Sequence, residues 1–258
     1  YTVAAPLGLG GFASRQLVTA GNTVLLASRE VAEKAKRLAS HMLEAAVEDL
    51  ELVDGKVQVK GSDASVTLAE LARTLRGAPG YAFPPGLDPM LQSDTKWQTE
   101  ALAYSNTSHV VEVEVDVDLA HVKILRYVAL QDVGVRVNPM IVEGQIRGGI
   151  AHGIGNALFE QMIYDDSGQP LTTTFADYLL PTAPELPTFE TIYRETPSPL
   201  NPLGAKGVGE VGTIPAAAAV ISAIEDALKP FKIRIQQTPV VPETLFQMIS
   251  EARAGQVS

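Results

Sequence analysis

This 258-residue sequence predicts an α+β fold, with mixed helices and mainly antiparallel sheets. Three observations carry that reading. From 110 to 118, Val111, Val113, Val115 and Val117 alternate with Glu112, Glu114, Asp116 and Asp118, the pattern of a half-buried antiparallel strand. Asp54-Gly55 stands between two short apolar runs, a hairpin signal. Helical and extended stretches are mixed, without the regular alternation of βαβ units.

In chain order, the first dozen residues, with Gly8, Gly10 and Gly11, read as a loop. A long helix over about 22–46 follows, since Val24, Val31, Ala35, Leu38 and Met42 fall on one face. Lys34, Lys36 and Arg37 lie off that stripe and read as solvated. The Asp54-Gly55 hairpin joins 50–53 to 57–59. Thr67 is the candidate N-cap of a shorter helix over 67–76. Pro79, Gly80, Pro84, Pro85, Gly86 and Pro89 punctuate a loop. The strand over 122–130 partners 110–118, and 148–161 reads as a helix despite its glycines, which implies close packing against a neighbour or ligand. Asp165-Asp166-Ser167-Gly168 turns the chain into short extended segments. Thr213 is a candidate N-cap and Pro215 fits the first turn of a helix over 216–228. The stretch 236–241 reads as extended and 242–253 as helical. The expected division is 1–105 and 106–258, packed as one unit.

The composition excludes several function classes. A formal charge of −10 does not suit nucleic acid, whose phosphates demand a basic face. No apolar run approaches the roughly 20 residues that span a bilayer, and no signal peptide is visible. Zero cysteines leave no disulfide and no thiolate for an iron–sulfur cluster; a cytoplasmic setting is the expectation. The four histidines, at 41, 109, 121 and 152, lack metal-ligand spacing, so each reads as a surface or core residue. The chain begins at Tyr1 rather than Met, so a longer polypeptide is expected.

Three constellations carry chemistry. In 201–210, glycines at 204, 207 and 209 let the backbone approach a ligand, and Glu210 sits before a helix start, where a carboxylate is favoured as an anion. An ionised carboxylate on a fixed loop is what a general base requires; a Gly-rich turn capped by a surface glutamate is the plain alternative. The loop 8–22 before a long helix suits an anion, with Ser14, Arg15, Gln16, Thr19 and Asn22 as donors, or else is a polar connector. A dinucleotide fingerprint fails there, since Gly8, Gly10 and Gly11 do not give G-x-G-x-x-G. Gln145, between Gly144 and Gly148-Gly149, can donate and accept, which suits the edge of a ligand or a helix N-terminus alike. His152 is either a cofactor neighbour or a packed histidine. Asp132, Arg136 and Asn138 read as structural.

These segments together resemble the molybdenum hydroxylases, the family of xanthine dehydrogenase, aldehyde oxidoreductase and the aerobic carbon monoxide dehydrogenase large subunit. Residues 197–210, ending Gly207-Val208-Gly209-Glu210, are similar to that family's active-site segment. Residues 132–134 with 137–139, then 142–155, resemble its cofactor-contacting region, 177–182 the segment that follows it, and 10–16 with 19–22 the loop holding the cofactor's dinucleotide. The resemblance runs over essentially the whole chain but only the last part of the family's large subunit.

It implies the molybdopterin-binding domain, with molybdopterin cytosine dinucleotide carrying molybdenum as cofactor and no metal ligand from this chain itself. It implies Glu210 as catalytic base. Cofactor contacts would come from Gly11, Ser14, Arg15, Gln16, Thr19, Gly21, Asn22, Gln145, Gly148, Gly149, Lys206, Gly207, Val208 and Gly209, with Lys206 holding the loop or biasing Glu210 towards ionisation. The first subdomain, 1–105, would contact the dinucleotide; the second would carry the pterin loop and the Glu loop. The implied reaction hydroxylates an aldehyde or N-heterocycle carbon with water-derived oxygen. Electrons would leave to [2Fe-2S] clusters and FAD on partner subunits. The rest of the molybdenum subunit, an iron–sulfur subunit and a flavin subunit are the implied partners. A carbon monoxide dehydrogenase fragment and a split, non-catalytic cofactor-binding module stay open beside this reading.

Overall fold

The computed structural model describes residues 10–77 and 83–256; Gly8, Pro79 and Gly80 lie outside the described residues. The chain falls into two compact units, Thr19–Thr99 and Tyr1–Val18 with Glu100–Ser258. The sequence reading draws its line at 105 and keeps the first 18 residues with the smaller part, whereas here they group with the larger.

A π-helical turn, Leu17–Gly21, runs directly into helix α1 of the smaller unit, Asn22–Leu43. The helical backbone thus starts ahead of residue 22. It ends where Glu44 turns left-handed, at φ 50°. Ala35, Leu38 and Ala39 form its buried face, while Val24 and Met42 of the expected stripe are exposed. Lys34 is not simply solvated: its ammonium lies 2.6 Å from Asp88 Oδ2 and 2.8 Å from the Gln92 carbonyl. Strands β1, Leu50–Val53, and β2, Lys56–Val59, form the expected hairpin. Asp54 and Gly55 take φ of 48° and 75°, the two positive values that a type I′ turn needs. Strand β3, Ser65–Thr67, pairs with β2 and hands the chain to helix α2, Leu68–Leu75. Thr67 is its N-cap as expected, in a capping box with Glu70. Leu50, Val57, Val66 and Leu71 close the core against Leu38.

The larger unit is built on the hairpin of β4, Asn106–Asp116, and β5, His121–Asp132. Val111, Val113 and Val115 turn inward and Glu112, Glu114 and Asp116 outward, as the alternation requires. Strand β6, Phe189–Tyr193, joins β5 in parallel, the one departure from antiparallel pairing among the described strands. Helix α3, Pro139–Leu158, begins well before 148. Asn138 Oδ1 accepts from the Ile141 N–H at 3.2 Å and Pro139 opens the first turn, a start signal that outweighs Gly144. Val142, Ile146, Ile150 and Ile154, four residues apart, form its buried stripe. Helix α4, Ala216–Ala227, buries Ala216, Val220 and Ile224, and helix α5, Pro242–Gln256, adds Leu245 and Ile249. Each fully buried isoleucine contributes roughly 1.5–3 kcal/mol. The stretch 236–241 joins neither sheet.

One polar group sits inside this sheet. His109 Nδ1 lies 2.8 Å from the Tyr127 hydroxyl and its Nε2 2.9 Å from the Gln131 amide nitrogen. Burial pushes the imidazole down from 6.5 to about 4. Between those values the unfolded chain binds a proton that the folded chain does not, so stability falls as the pH drops through this window. Chemical denaturation from pH 7 to pH 4 should show that decline, and His109→Gln should flatten it. An unchanged slope would take His109 out of the acid response.

Candidate functional site

The loop that carries Glu210 is stapled at both ends. Asn201, 7 % exposed, bridges it with its amide: Nδ2 donates to the Ala205 carbonyl at 2.8 Å and Oδ1 accepts from the Ala205 N–H at 3.1 Å. The Gly204 carbonyl accepts from Val135 and Ser198 N–H, each at 3.0 Å, and Lys206 N–H donates to the Val133 carbonyl at 2.9 Å. Gly134, at φ 65°, must be glycine, because a Cβ would collide with the Gly204 carbonyl oxygen. The Lys206 ammonium pairs with Asp132 Oδ2 at 3.0 Å, both side chains about a tenth exposed. Desolvation pushes the Asp132 carboxyl up, but hydrogen bonds from Gly134 N–H, Lys206 and Thr196 outweigh it and hold it at about 2. Lys206 therefore secures the loop through Asp132 rather than through Glu210.

Beyond Glu210 the chain makes a turn, not a helix start. The Glu210 carbonyl accepts from Thr213 and Ile214 N–H at 3.1 and 3.0 Å. Helix α4 begins only at Ala216, with Pro215 in the N-cap place, so Thr213 is not its cap. Glu210 stands a full turn ahead of the helix, beyond the reach of its dipole. Thr213 instead donates its hydroxyl to the Gly149 carbonyl at 2.8 Å. His152 Nδ1 lies 3.1 Å from the Thr213 hydroxyl oxygen. Since the threonine proton is committed, His152 Nδ1–H is the donor in that contact. Gly212 and Gly149 let turn and helix touch: a Cβ on Gly212 would strike the Ile146 carbonyl, and one on Gly149 would lie 2.9 Å from the Thr213 nitrogen. Val208 packs its partly buried side chain against the core.

The N-terminal turn supplies the third element. Ala13 and Ser14 take φ of 57° and 54°, and the Ser14 hydroxyl donates to Glu210 Oε2 at 2.6 Å. Arg15 Nη2 donates to the Gly10 carbonyl at 3.2 Å, with its guanidinium carbon 4.0 Å from the Phe12 ring centroid. The Gln16 side chain folds over Gly11. Helix α1 starts at Asn22 as expected, but the π-helical turn before it already carries the backbone into that start. Thr19 and Gly21 lie in the π-helical turn, and Asn22 is wholly buried, so it is no surface donor. These three residues belong to the other compact unit.

The structure thus brings together Ser14, Gln145, Gly207, Gly209 and Glu210. An ideal Cβ on Gly209 would lie 3.3 Å from Ser14 Oγ and 3.8 Å from Gln145 Oε1. Gln145 and Gly148 are exposed on α3, and a Cβ on Gly144 or Gly148 would meet nothing within 4 Å. Of the Gly148-Gly149 pair, only Gly148 faces open space; Gly149 serves helix packing. The open groove along β4 and α4, lined by His109, Val111, Ala219, Ser222 and Asp226, holds none of these residues. Sequence reasoning missed the Ser14–Glu210 and Lys206–Asp132 pairs, because partners 196 and 74 positions apart leave no local signal. Among the described residues, no group of three or more His, Cys, Asp or Glu side chains is arranged to hold a metal ion. Nor is any helix there long and apolar enough to cross a membrane.

Comparison with known proteins fits this arrangement. The family described as molybdopterin cofactor-binding domain matches residues 1–187. The 6-hydroxypseudooxynicotine dehydrogenase complex subunit gamma of Paenarthrobacter nicotinovorans is 42 % identical over 242 residues, covering 93 % of this chain and 30 % of that protein. The carbon monoxide dehydrogenase large chain of Hydrogenophaga pseudoflava is 40 % identical over 227 residues, 86 % of this chain and 28 % of that one. The crystal structure of quinoline 2-oxidoreductase from Pseudomonas putida 86 superposes with a TM-score of 0.83 at 42 % identity, covering 95 % of this chain and 31 % of that chain. The chain thus spans less than a third of the length of the relatives it matches. The α+β architecture is that of their molybdopterin-binding region, and the chain belongs to the molybdenum hydroxylase family, as part of its molybdenum-cofactor-binding subunit.

Proposed function

We propose that this chain places Glu210 as the catalytic base beside a bound molybdopterin cytosine dinucleotide, in an enzyme that hydroxylates an aldehyde or N-heterocycle carbon. The observation that carries it is Glu210 itself: an exposed carboxylate on a doubly stapled loop, next to an open face made by Gly144, Gln145 and Gly148. That face fits a planar ligand, since no side chain fills the space a Cβ on Gly148 would take. The exposed Gln145 amide can both donate to and accept from a pterin edge. Gly207, Val208 and Gly209 lead directly into Glu210 and would offer backbone amides to the cofactor, while Arg15, Gln16 and Gly11 would offer a cation and donors to a pyrophosphate.

The molybdenum, when bound, supplies oxygen transfer and two-electron redox chemistry. The chain's own contribution is the proton: Glu210 Oε1, without a partner among the described residues, accepts it. The glycines around it keep bulk away from the reacting carbon. With no cysteine, this chain cannot hold an iron–sulfur cluster, so electrons would leave to [2Fe-2S] and FAD carried elsewhere in the assembly. Relatives that include a nicotine 6-hydroxylase and a quinoline 2-oxidoreductase favour an N-heterocycle as substrate.

Metal analysis of the full enzyme, with acid release of the nucleotide, tests the cofactor directly. Gly148→Leu sharpens it. Leucine is the better helix former, so the cofactor-free protein should melt no lower than wild type. Affinity for the cofactor should nevertheless fall roughly tenfold or more, ~1.4 kcal/mol or more of lost binding, read as a lower molybdenum and cytosine nucleotide content. Gly149→Ala should do the reverse and destabilise the fold by ~1–3 kcal/mol through overpacking against Thr213. A Gly148→Leu enzyme with full cofactor content would place the cofactor elsewhere.

A further inference from the structure

We infer that Ser14 is a positioning residue for Glu210: its hydroxyl holds one carboxylate oxygen so that the other meets the proton. This rests on the reading of Glu210 as the base. Three independent features build the contact. The first is the hydrogen bond, 2.6 Å from Ser14 Oγ to Glu210 Oε2, short and charge-assisted if the carboxylate is ionised. A serine hydroxyl has one proton, and here it is given to Glu210 rather than kept for a phosphate.

The second is the backbone. Ala13 and Ser14 are consecutive non-glycine residues at φ of 57° and 54°. Each such conformation costs on the order of 1–3 kcal/mol and persists only where surrounding structure imposes it. The third is the seat. A Cβ on Gly207 would stand 2.9 Å from Ser14 Cβ, and one on Gly209 would stand 3.3 Å from Ser14 Oγ. The two glycines flanking Val208 therefore make room for Ser14 as well as for a ligand.

The consequence is a fixed rotamer. An exposed glutamate side chain has three soft torsions, and ordering it costs free energy that the reaction must otherwise supply. Ser14 settles that orientation before substrate arrives. It also divides the two oxygens, Oε2 tied to Ser14 and Oε1 presented.

The test uses the full molybdenum enzyme and its partner subunits. Ser14→Ala should retain molybdenum, cytosine nucleotide and melting temperature. The limiting rate of anaerobic reduction by substrate should fall about 10- to 100-fold, with half-saturation unchanged, the loss expected of a displaced catalytic group. Gly207→Ala, which drives Ser14 out of its seat, should give the same phenotype. In a Glu210→Gln background Ser14→Ala should add nothing, because both changes act through one carboxylate. A Ser14→Ala enzyme that loses nucleotide at an unchanged rate per molybdenum would return Ser14 to the dinucleotide and overturn the proposal. So would a full multiplicative loss in the Glu210→Gln background. If Glu210→Gln alone reacts at the wild-type rate, it is the base reading that fails, and Ser14's role fails with it.

Discussion

Glu210→Gln should lower kcat of the full enzyme by ~10²–10⁴-fold while leaving its molybdenum content unchanged. The amide keeps the shape of the side chain and removes its basicity. It also keeps an oxygen that can accept from Ser14, so the 2.6 Å contact need not be lost. The loop does not depend on the carboxylate, because Asn201, Lys206 and the Glu210 main-chain carbonyl hold it. The loss should therefore appear in the chemical step, read by mixing substrate anaerobically and following bleaching of the iron–sulfur centres. A structural role for Glu210 would give the opposite pattern, with reduced cofactor occupancy and little change in rate per molybdenum. A fully loaded variant reduced at the wild-type rate would remove Glu210 from the mechanism.

Much of the fold was legible where local chemistry is decisive. Asp54-Gly55 fixed its hairpin through two positive φ values, Thr67 and Glu70 their capping box, and the valine–acid alternation the half-buried β4. Four of the five α-helices lie within a few residues of where the sequence puts them; the start of α3 is the exception, set at Asn138-Pro139 rather than at 148. The glycines of α3 read in sequence as a sign of close packing, and the missing Cβ atoms of Gly149 and Gly153 are what let α3 press on the 212–216 segment. Thr213 looks like an N-cap, but its hydroxyl finds the Gly149 carbonyl instead. Asn22, a candidate side-chain donor in sequence, is wholly buried. The Glu210 loop itself was readable from its glycines and from resemblance. What holds its carboxylate was not, since Ser14 is remote in the chain and only an unusual backbone turns it towards Glu210.

The support of that loop is also where the largest loss of stability is expected. Lys206→Met should destabilise the fold by ~3–5 kcal/mol at pH 7, the cost of leaving a buried charge without its partner. The methionine fills the same space, so the effect isolates the ammonium that lies 3.0 Å from Asp132 Oδ2, a carboxylate only 11 % exposed. Two N–H groups, from Gly134 and Thr196, still serve Asp132 Oδ1, which places the loss towards the lower end of that range. Asp132→Asn added to Lys206→Met should recover most of it, because a neutral pair leaves no charge to desolvate.

The sign with pH follows from the same pair. The Asp132 carboxyl is held at about 2 in the folded protein against an ordinary 3.8. Its stabilisation is therefore complete above the ordinary value and is lost as pH falls through about 2. Without Lys206 the carboxyl protonates more readily, so the Met variant should lie furthest below wild type at neutral pH and approach it in acid. Urea denaturation of the full-length protein at pH 7 and pH 3 measures both ends. A Lys206→Met protein within about 1 kcal/mol of wild type at pH 7, the scale of a surface pair, would mean that the loop holds Glu210 without this ion pair.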